Sequence, residues 1–242
     1  MASFKDVIRA TVDFFIPRHC VVCGGRLSHR EHIICSGCFF DLRQTELWKS
    51  PEHNVLLDNL PTAFPVVKAA AFIYYIPDSE EASVVKHFKY GHDSWAAIYC
   101  GYLMARQIIT DSDFFNGIDC LVPVPLSKKR LRERGYNQTE MLCKGIKKAL
   151  DERGPNQCEI ITDALVRVSF VQSQTMLSHW QRSVNVSNVF RLEHPEMLTG
   201  KHVLIVDDVV TTGATTTACM TQMKDVPGIR LSLLAFSLAG HW

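Results

Sequence analysis

Apolar residues in this chain come in short blocks separated by polar, helically spaced stretches. Val66–Ile76 (VVKAAAFIYYI) is an apolar and aromatic run of strand length. Lys201–Val206 contains the unbroken run Val203–Val206, the pattern of a strand buried on both faces in a parallel sheet. Asp119–Pro125 (DCLVPVP) predicts a strand closed by Pro123 and Pro125, which cannot donate to a ladder. Ala164–Val168, Val189–Leu192 and Arg230–Leu238 complete the strands, and the pieces at 189–192 and 201–206 are expected in the same sheet. Helices fall between them. Glu80–Lys89 has Ser79 at its N-cap and Glu81 in its first turn, and Tyr90–Gly91 stops it. Ser94–Ile109 places Ala97, Cys100, Gly101, Met104 and Ile108 on one face, and Tyr136–Leu150 turns Leu142, Ile146, Ala149 and Leu150 inward. Another helix follows residue 215, with Cys219, Met220 and Met223 together. This alternation from residue 119 onward predicts an α/β fold with a mainly parallel sheet flanked by helices.

The flanking segments divide the chain further. Residues 1–18 read as an amphipathic helix, with Phe4, Ile8, Val12 and Phe15 on the face expected to pack on the protein itself. Asp6, Arg9 and Asp13 interrupt its apolar residues, which excludes a signal-peptide core. Residues 19–45 hold a cysteine cluster, and 46–65 carry Pro51, Pro61 and Pro65 without a period, the pattern of a linker. Residues 66–242 form the α/β domain. Within it, Ser169–Asn188 is polar and aperiodic, with Gln174, Thr175, Arg182 and Asn185, and is expected as a mobile lid.

Composition narrows the function. The formal net charge is +1, so a nucleic-acid or membrane partner would need a local patch rather than a global field. No apolar run approaches the roughly 20 residues of a membrane span. Of nine cysteines, Cys100, Cys120, Cys143, Cys158 and Cys219 fall mostly in apolar segments and read as buried thiols, the usage of a reduced, cytoplasmic protein. The other four, Cys20, Cys23, Cys35 and Cys38, form a CxxC-x11-CxxC arrangement in which two pairs of thiolates can meet on one Zn²⁺. A redox pair would explain one CxxC but not two. His19, His29 and His32 lie close enough to substitute but read as surface residues. A site closed by four cysteines leaves no place for substrate, so the metal is expected to be structural.

The densest chemistry lies in Val203–Thr215, VLIVDDVVTTGAT. A small-residue turn ahead of a helix exposes unpaired backbone N–H groups that suit an anion. Thr211, Thr212 and Thr215 add neutral donors, and Gly213 permits φ > 0 and close approach. Asp207 and Asp208 would repel that anion; they suit hydroxyls, or a Mg²⁺ held together with substrate oxygens. A ribose carrying a 5′-phosphate wants both. A buried strand ending in an N-capped helix would gain nothing from two acids followed by three threonines and a glycine. A second basic stretch follows the 119–125 strand, where Lys128, Lys129, Arg130, Arg132 and Arg134 place five cations in seven residues. It reads as a strand-end loop that clamps pyrophosphate or meets nucleic-acid phosphates, against the blander reading of a solvated helix start.

The thirteen residues Val203–Thr215 closely resemble the phosphoribosyl-diphosphate (PRPP) motif of type I phosphoribosyltransferases. With the four-cysteine ribbon, PVPLSKKRLRERGYNQ, and the spacing of Gln174, Leu177, Arg182 and Asn185, nearly the whole chain resembles the ComF family, relatives of those enzymes linked to competence and DNA uptake. Val171 stands where the family pattern has threonine, and residues 41–65 lack the second cysteine quartet of many members, so one zinc is expected. The resemblance implies a type I phosphoribosyltransferase-like sheet behind a small zinc ribbon. It implies PRPP or ribose 5-phosphate on Asp207, Asp208, Val209, Thr211, Thr212, Gly213, Ala214 and Thr215, with Mg²⁺. Lys128, Lys129, Arg130 and Arg134 would hold pyrophosphate, and Asp207, Asp208 and Arg182 would serve transfer of the 5-phosphoribosyl group. The alternative is a non-catalytic PRPP sensor that meets single-stranded DNA or a DNA-uptake helicase. Both readings leave the acceptor and oligomeric state open.

Overall fold

The computed structural model describes residues 17–154, 157–168 and 189–240. The helix expected at 1–18 lies outside the described residues apart from its last two, and so does the lid segment with Gln174, Thr175, Arg182 and Asn185. A ribbon around the cysteines leads into α1 (Ser36–Asp41), a 3-10 turn (Leu47–Lys49) and α2 (Val55–Asp58). Then come β1 (Lys68–Tyr75), α3 (Glu80–Tyr90), α4 (Ser94–Asp111), β2 (Cys120–Pro123), α5 (Lys128–Arg134) and α6 (Gln138–Arg153). β3 (Glu159–Ile160), β4 (Leu165–Arg167), β5 (Phe190–Leu192), a 3-10 turn (Pro195–Leu198), β6 (His202–Val210), α7 (Ala214–Met223) and β7 (Arg230–Ala239) follow.

Five strands form one parallel sheet in the order β1-β7-β6-β2-β3. Val203–Val206 is fully buried because both faces of β6 are covered. Leu204 and Val206 join Phe72, Leu121 and Phe236 in a cluster under α3, α4 and α6. Val203 and Ile205 face the other way, into a cluster with Ala69, Ala71, Cys120 and residues of α2 and α7. The helices begin where capping chemistry puts them. The Ser79 hydroxyl accepts the Ala82 N–H, and Asp93 caps α4 by accepting from Ala96. α4 and α6 cross at two glycines, where a Cβ on Gly145 would lie 2.0 Å from the Ile98 carbonyl oxygen.

Four expectations change. β5 does not join the main sheet; it pairs antiparallel with β4, Arg167 opposite Phe190, and so clasps the two ends of the 169–188 segment. Residues 46–65, expected as a linker, pack closely: Trp48 and Leu56 are fully buried, and Asn54 caps α2. Just before them, Thr45 and Arg43 bond to β1 through Phe72 and Tyr74, which covers its outer edge. The basic stretch is a capped helix, α5, rather than a loop. Finally, β6 runs past the acids to Val210, because Asp207, Val209 and Val210 pair with Ala235, Ser237 and Leu238 of β7.

Chain direction in the sheet locates a crevice. From β2 the chain moves outward to β3; from β6 it moves the opposite way to β7. Such a reversal opens a cleft at the carboxyl ends of the two central strands, where ligands of open α/β sheets bind. β2 ends there at Pro123, in register with Val206, and β6 runs on past it to Val210.

Candidate functional site

Alternation along β6 sends its two acids to different sides of the crevice. Asp207 continues the face of Val203 and Ile205. It is 6% exposed and its Oδ1 accepts the Asp208 N–H at 2.8 Å. Burial, and next the Asp208 charge, push its carboxyl up to about 7. Asp208 turns to the other face, where Lys89 Nζ of α3 reaches its Oδ2 at 3.2 Å. The Ser237 hydroxyl donates to the Asp208 carbonyl at 3.0 Å and fixes the strand end from β7.

The turn after β6 has the openness expected of an anion cradle. Thr211, Thr212, Ala214 and Thr215 are exposed. Gly213, at φ +72°, is buried against Leu60 and Pro61; a Cβ there would lie 2.9 Å from Leu60 Cδ2. It precedes α7 as an N-cap residue that has no side chain to cap it, so among the described residues the helix start carries no side-chain cap. The donor set fits a phosphate at the turn. The two carboxylates beside it offer hard oxygens that fit Mg²⁺, with the remaining ligands supplied by substrate and water.

The end of β2 is bolted to the neighbouring helices. The Val124 N–H bonds to the Val206 carbonyl, and the Val124 carbonyl accepts from Asn137 Nδ2 and the Thr139 hydroxyl. α5 therefore stands beside the crevice, capped by Ser127 and with none of its residues buried. Lys128, Lys129 and Arg130 are exposed, and Lys129 stands 3.9 Å from Glu133 on the same helix. Arg134 turns back, donating to Gln138 Oε1 at 2.9 Å with its guanidinium 5.1 Å from the centre of the Tyr90 ring.

Two cations absent from the expected set stand at the site. One is Lys89. The other is Arg167 of β4, whose guanidinium is pushed below its ordinary value first by burial and then by the nearby Arg130 charge. Arg167 also feels Cys219 of α7, so α5, β4 and α7 approach one another here. No local sequence signal marks either residue. A lysine ending a helix usually serves the dipole, and β4 is three residues long.

The cysteine cluster is assembled as its spacing predicts. The Sγ atoms of Cys20, Cys23, Cys35 and Cys38 all lie within 4.8 Å of one another, and Cys23 and Cys35 are 3.9 Å apart. A Zn²⁺ with bonds of about 2.3 Å asks for tetrahedral edges of about 3.8 Å, so the four thiols fit it. Backbone N–H groups of Gly25, Cys35 and Cys38 point at cluster sulfurs, which favours thiolates. Two of the three nearby histidines are engaged elsewhere: His19 bonds to the Gly24 carbonyl, and His32 bonds to Asp93 at 3.0 Å. The five remaining cysteines are buried thiols outside any disulfide, and burial pushes each of them up, out of the reactive range. Among the described residues no helix is long and apolar enough to cross a membrane.

A mainly parallel α/β sheet with flanking helices and an N-terminal four-cysteine cluster is the class of protein the fold defines. No family model matches the chain. It is 27% identical to competence protein F of Haemophilus influenzae over 219 residues, 83% of this chain and 88% of that one. It is 40% identical to the DNA utilization protein YhgH of Escherichia coli over 97 residues, and the same identity holds for YhgH of Salmonella typhi. Those matches span 39% of the relatives' length. Among solved structures, it is similar to hypoxanthine phosphoribosyltransferases from Staphylococcus aureus and Trypanosoma cruzi. The first has a TM-score of 0.33 at 11% identity, covering 59% of this chain and 62% of that one. The second has 0.34 at 15%, covering 59% and 73%. Along most of its length the chain is similar to competence protein F.

Proposed function

We propose that the crevice between β2 and β6 binds PRPP, or ribose 5-phosphate, and that the protein transfers the 5-phosphoribosyl group to an acceptor. The observation that carries this reading is the meeting of an acid pair, an uncapped small-residue turn and a basic helix at one topological switch point. In this reading the exposed turn at 211–215 holds the 5′-phosphate through backbone N–H groups and threonine hydroxyls. Asp207 and Asp208 orient the ribose hydroxyls and would hold Mg²⁺. When bound, that ion neutralises charge on the diphosphate oxygens. As the bond from C1 to the diphosphate breaks, pyrophosphate leaves with the electron pair and the acceptor's lone pair forms the new bond at C1. Lys128, Lys129, Arg130 and Arg134 stabilise the departing charge. Arg182 would join them from the 169–188 segment, whose two ends the β4–β5 pair holds beside the site. No side-chain nucleophile is required, since positioning and electrostatics suffice.

A second reading keeps the PRPP site but not the turnover. The relatives' names, DNA utilization protein and competence protein, favour a DNA-linked module in which α5 meets single-stranded DNA or a helicase. Incubation with PRPP, Mg²⁺ and a panel of nucleobases and amines separates the two. Pyrophosphate release that depends on one acceptor supports transfer. PRPP binding without release across the panel supports the sensor, and no PRPP binding rejects both.

A further inference from the structure

The three residues that end α3 each touch a different element. Phe88 is fully buried, edge-on to Phe236 of β7 at 5.3 Å, and its carbonyl accepts the Tyr136 hydroxyl at 2.6 Å. Tyr90 lies against Arg134, at the junction of α5 and α6. Lys89, between them, is therefore aimed by contacts on both sides, and its target is Asp208. The lysine and aspartate side chains are 17% and 15% exposed, so each charge has lost most of its water and depends on the other.

That pair changes what the acid pair can bind. Asp208 already has a full counter-charge, and Asp207 is buried with one oxygen on the Asp208 N–H. A divalent cation arriving alone must displace the Lys89 ammonium and leave it half-buried without a partner, which is costly. An anion arriving with the cation removes that cost by giving the ammonium a new partner.

We propose that Lys89 is a resident counter-ion that makes divalent-cation binding at Asp208 conditional on a phosphate-bearing ligand. The cation takes Asp208 as the Lys89 ammonium passes to phosphate oxygens of the ligand. The site then selects metal and diphosphate together over either alone. Only the phosphate half of this inference rests on the PRPP reading; the counter-ion half rests on the ion pair itself.

The test uses the full chain with its zinc in place and Mn²⁺ as a spectroscopic substitute for Mg²⁺. Mn²⁺ affinity is measured alone, and PRPP affinity is measured with and without Mn²⁺, in wild type, Lys89→Met and Lys89→Arg. Lys89→Met is expected to tighten Mn²⁺ alone by about tenfold, the scale for releasing one half-buried ion pair. It is also expected to lose most of the gain in PRPP affinity that Mn²⁺ gives the wild type. Lys89→Arg keeps the charge and should stay within about twofold of wild type for Mn²⁺ alone. A merely structural defect would not tighten metal binding. Unchanged or weaker Mn²⁺ binding in a folded Lys89→Met overturns the proposal, and Lys89→Gln carries the same expectation if that variant does not fold. Tighter Mn²⁺ with an unaltered Mn²⁺–PRPP coupling overturns the conditional part. If wild type binds no PRPP, the pocket reading fails while the Mn²⁺ measurement still decides the role of Lys89.

Discussion

Asp208 sits where a strand, a helix and the crevice meet, and its charge is the most consequential single property of the site. Replacing it by the isosteric amide keeps the shape and the Ser237 bond to its carbonyl but removes the anion. D208N is expected to weaken PRPP binding by on the order of 1–3 kcal/mol, the range for a hydrogen bond to a charged group. Calorimetry showing equal affinity would reject the assignment. A second residue predicts the pH response of the fold. His202, at the opposite end of β6, is buried with Nε2 2.8 Å from the Ser232 hydroxyl. Burial, then the Arg230 and Lys68 charges, hold its pKa below the ordinary 6.5. The unfolded chain therefore binds more protons than the native one once pH falls below that value, so this residue makes stability fall as the solution is acidified. Denaturant melts at pH 7.5 and 5.5 should show a smaller loss in H202Q than in wild type; an identical loss would assign the effect elsewhere. Both acids stand out in the sequence because charge at the end of VLIV is unusual. Lys89 and Arg167 do not, since each is one cation in an ordinary segment and only tertiary packing gives it a partner.

Helices α4 and α6 form the most intimate contact between elements, made at Gly101 and Gly145. A Cβ at Gly145 would stand 2.0 Å from the Ile98 oxygen and 2.6 Å from the Tyr102 nitrogen, backbone atoms that cannot step aside alone. Gly145→Ala is expected to cost about 3 kcal/mol or more, above its small gain in helix propensity. Chemical denaturation measures it, and a loss below about 1 kcal/mol would mean that the crossing is looser than described. Helix α5 carries the other element-scale prediction. Replacing Lys129 and Arg130 together by alanine removes two exposed charges from a helix with no buried residue, so stability should hold. Pyrophosphate affinity should fall several-fold by loss of charge at the crevice. Loss of single-stranded DNA binding with pyrophosphate binding intact would move α5 from the pocket to a nucleic-acid surface. Element type was legible wherever a full apolar stripe or run existed, as in α3, α4, α6, β1, β6 and β7. Partnering was not. β4 and β5 are three residues each, and nothing local says whether so short a strand extends a large sheet or pairs with its neighbour. The basic stretch was read as a loop because its charges mask the Ser127 cap and the Gly135 stop that make it a helix.

For the molecule as a whole, the ribbon is part of the core rather than an appendage. Leu27, Ile33, Ile34 and Phe39 share one apolar cluster with Phe72, Phe88 and Met104, and Phe39 stacks on Phe72 at 5.7 Å. The cysteine spacing made the four-thiol cluster legible, but nothing in residues 19–45 says what their apolar side chains face, because those partners lie far along the chain. Metal analysis under reducing conditions should find one Zn²⁺ per chain, lost in Cys35→Ser. Because the core is shared, chelation should lower the single melting transition of the entire protein by on the order of 10 °C or more. A separate early transition, with the α/β melt unchanged, would show the ribbon to be energetically independent.

The placement of β1 bears on how the molecule is made. β1 follows the ribbon closely in the chain, yet its pairing partner is β7, with Lys68 opposite Ser232. A nascent chain therefore carries Ala69–Ile73, a sticky apolar edge, until β7 (Arg230–Ala239), the strand that covers it, emerges. The four-cysteine ribbon and the hydrogen bonds from residues 43–45 to β1 involve only segments made before or with that strand. They can act as a temporary guard on the other side of that strand while it waits. Closure over so long a stretch of chain is slow by its nature, and the ribosome-bound intermediate is where this protein is most exposed to aggregation.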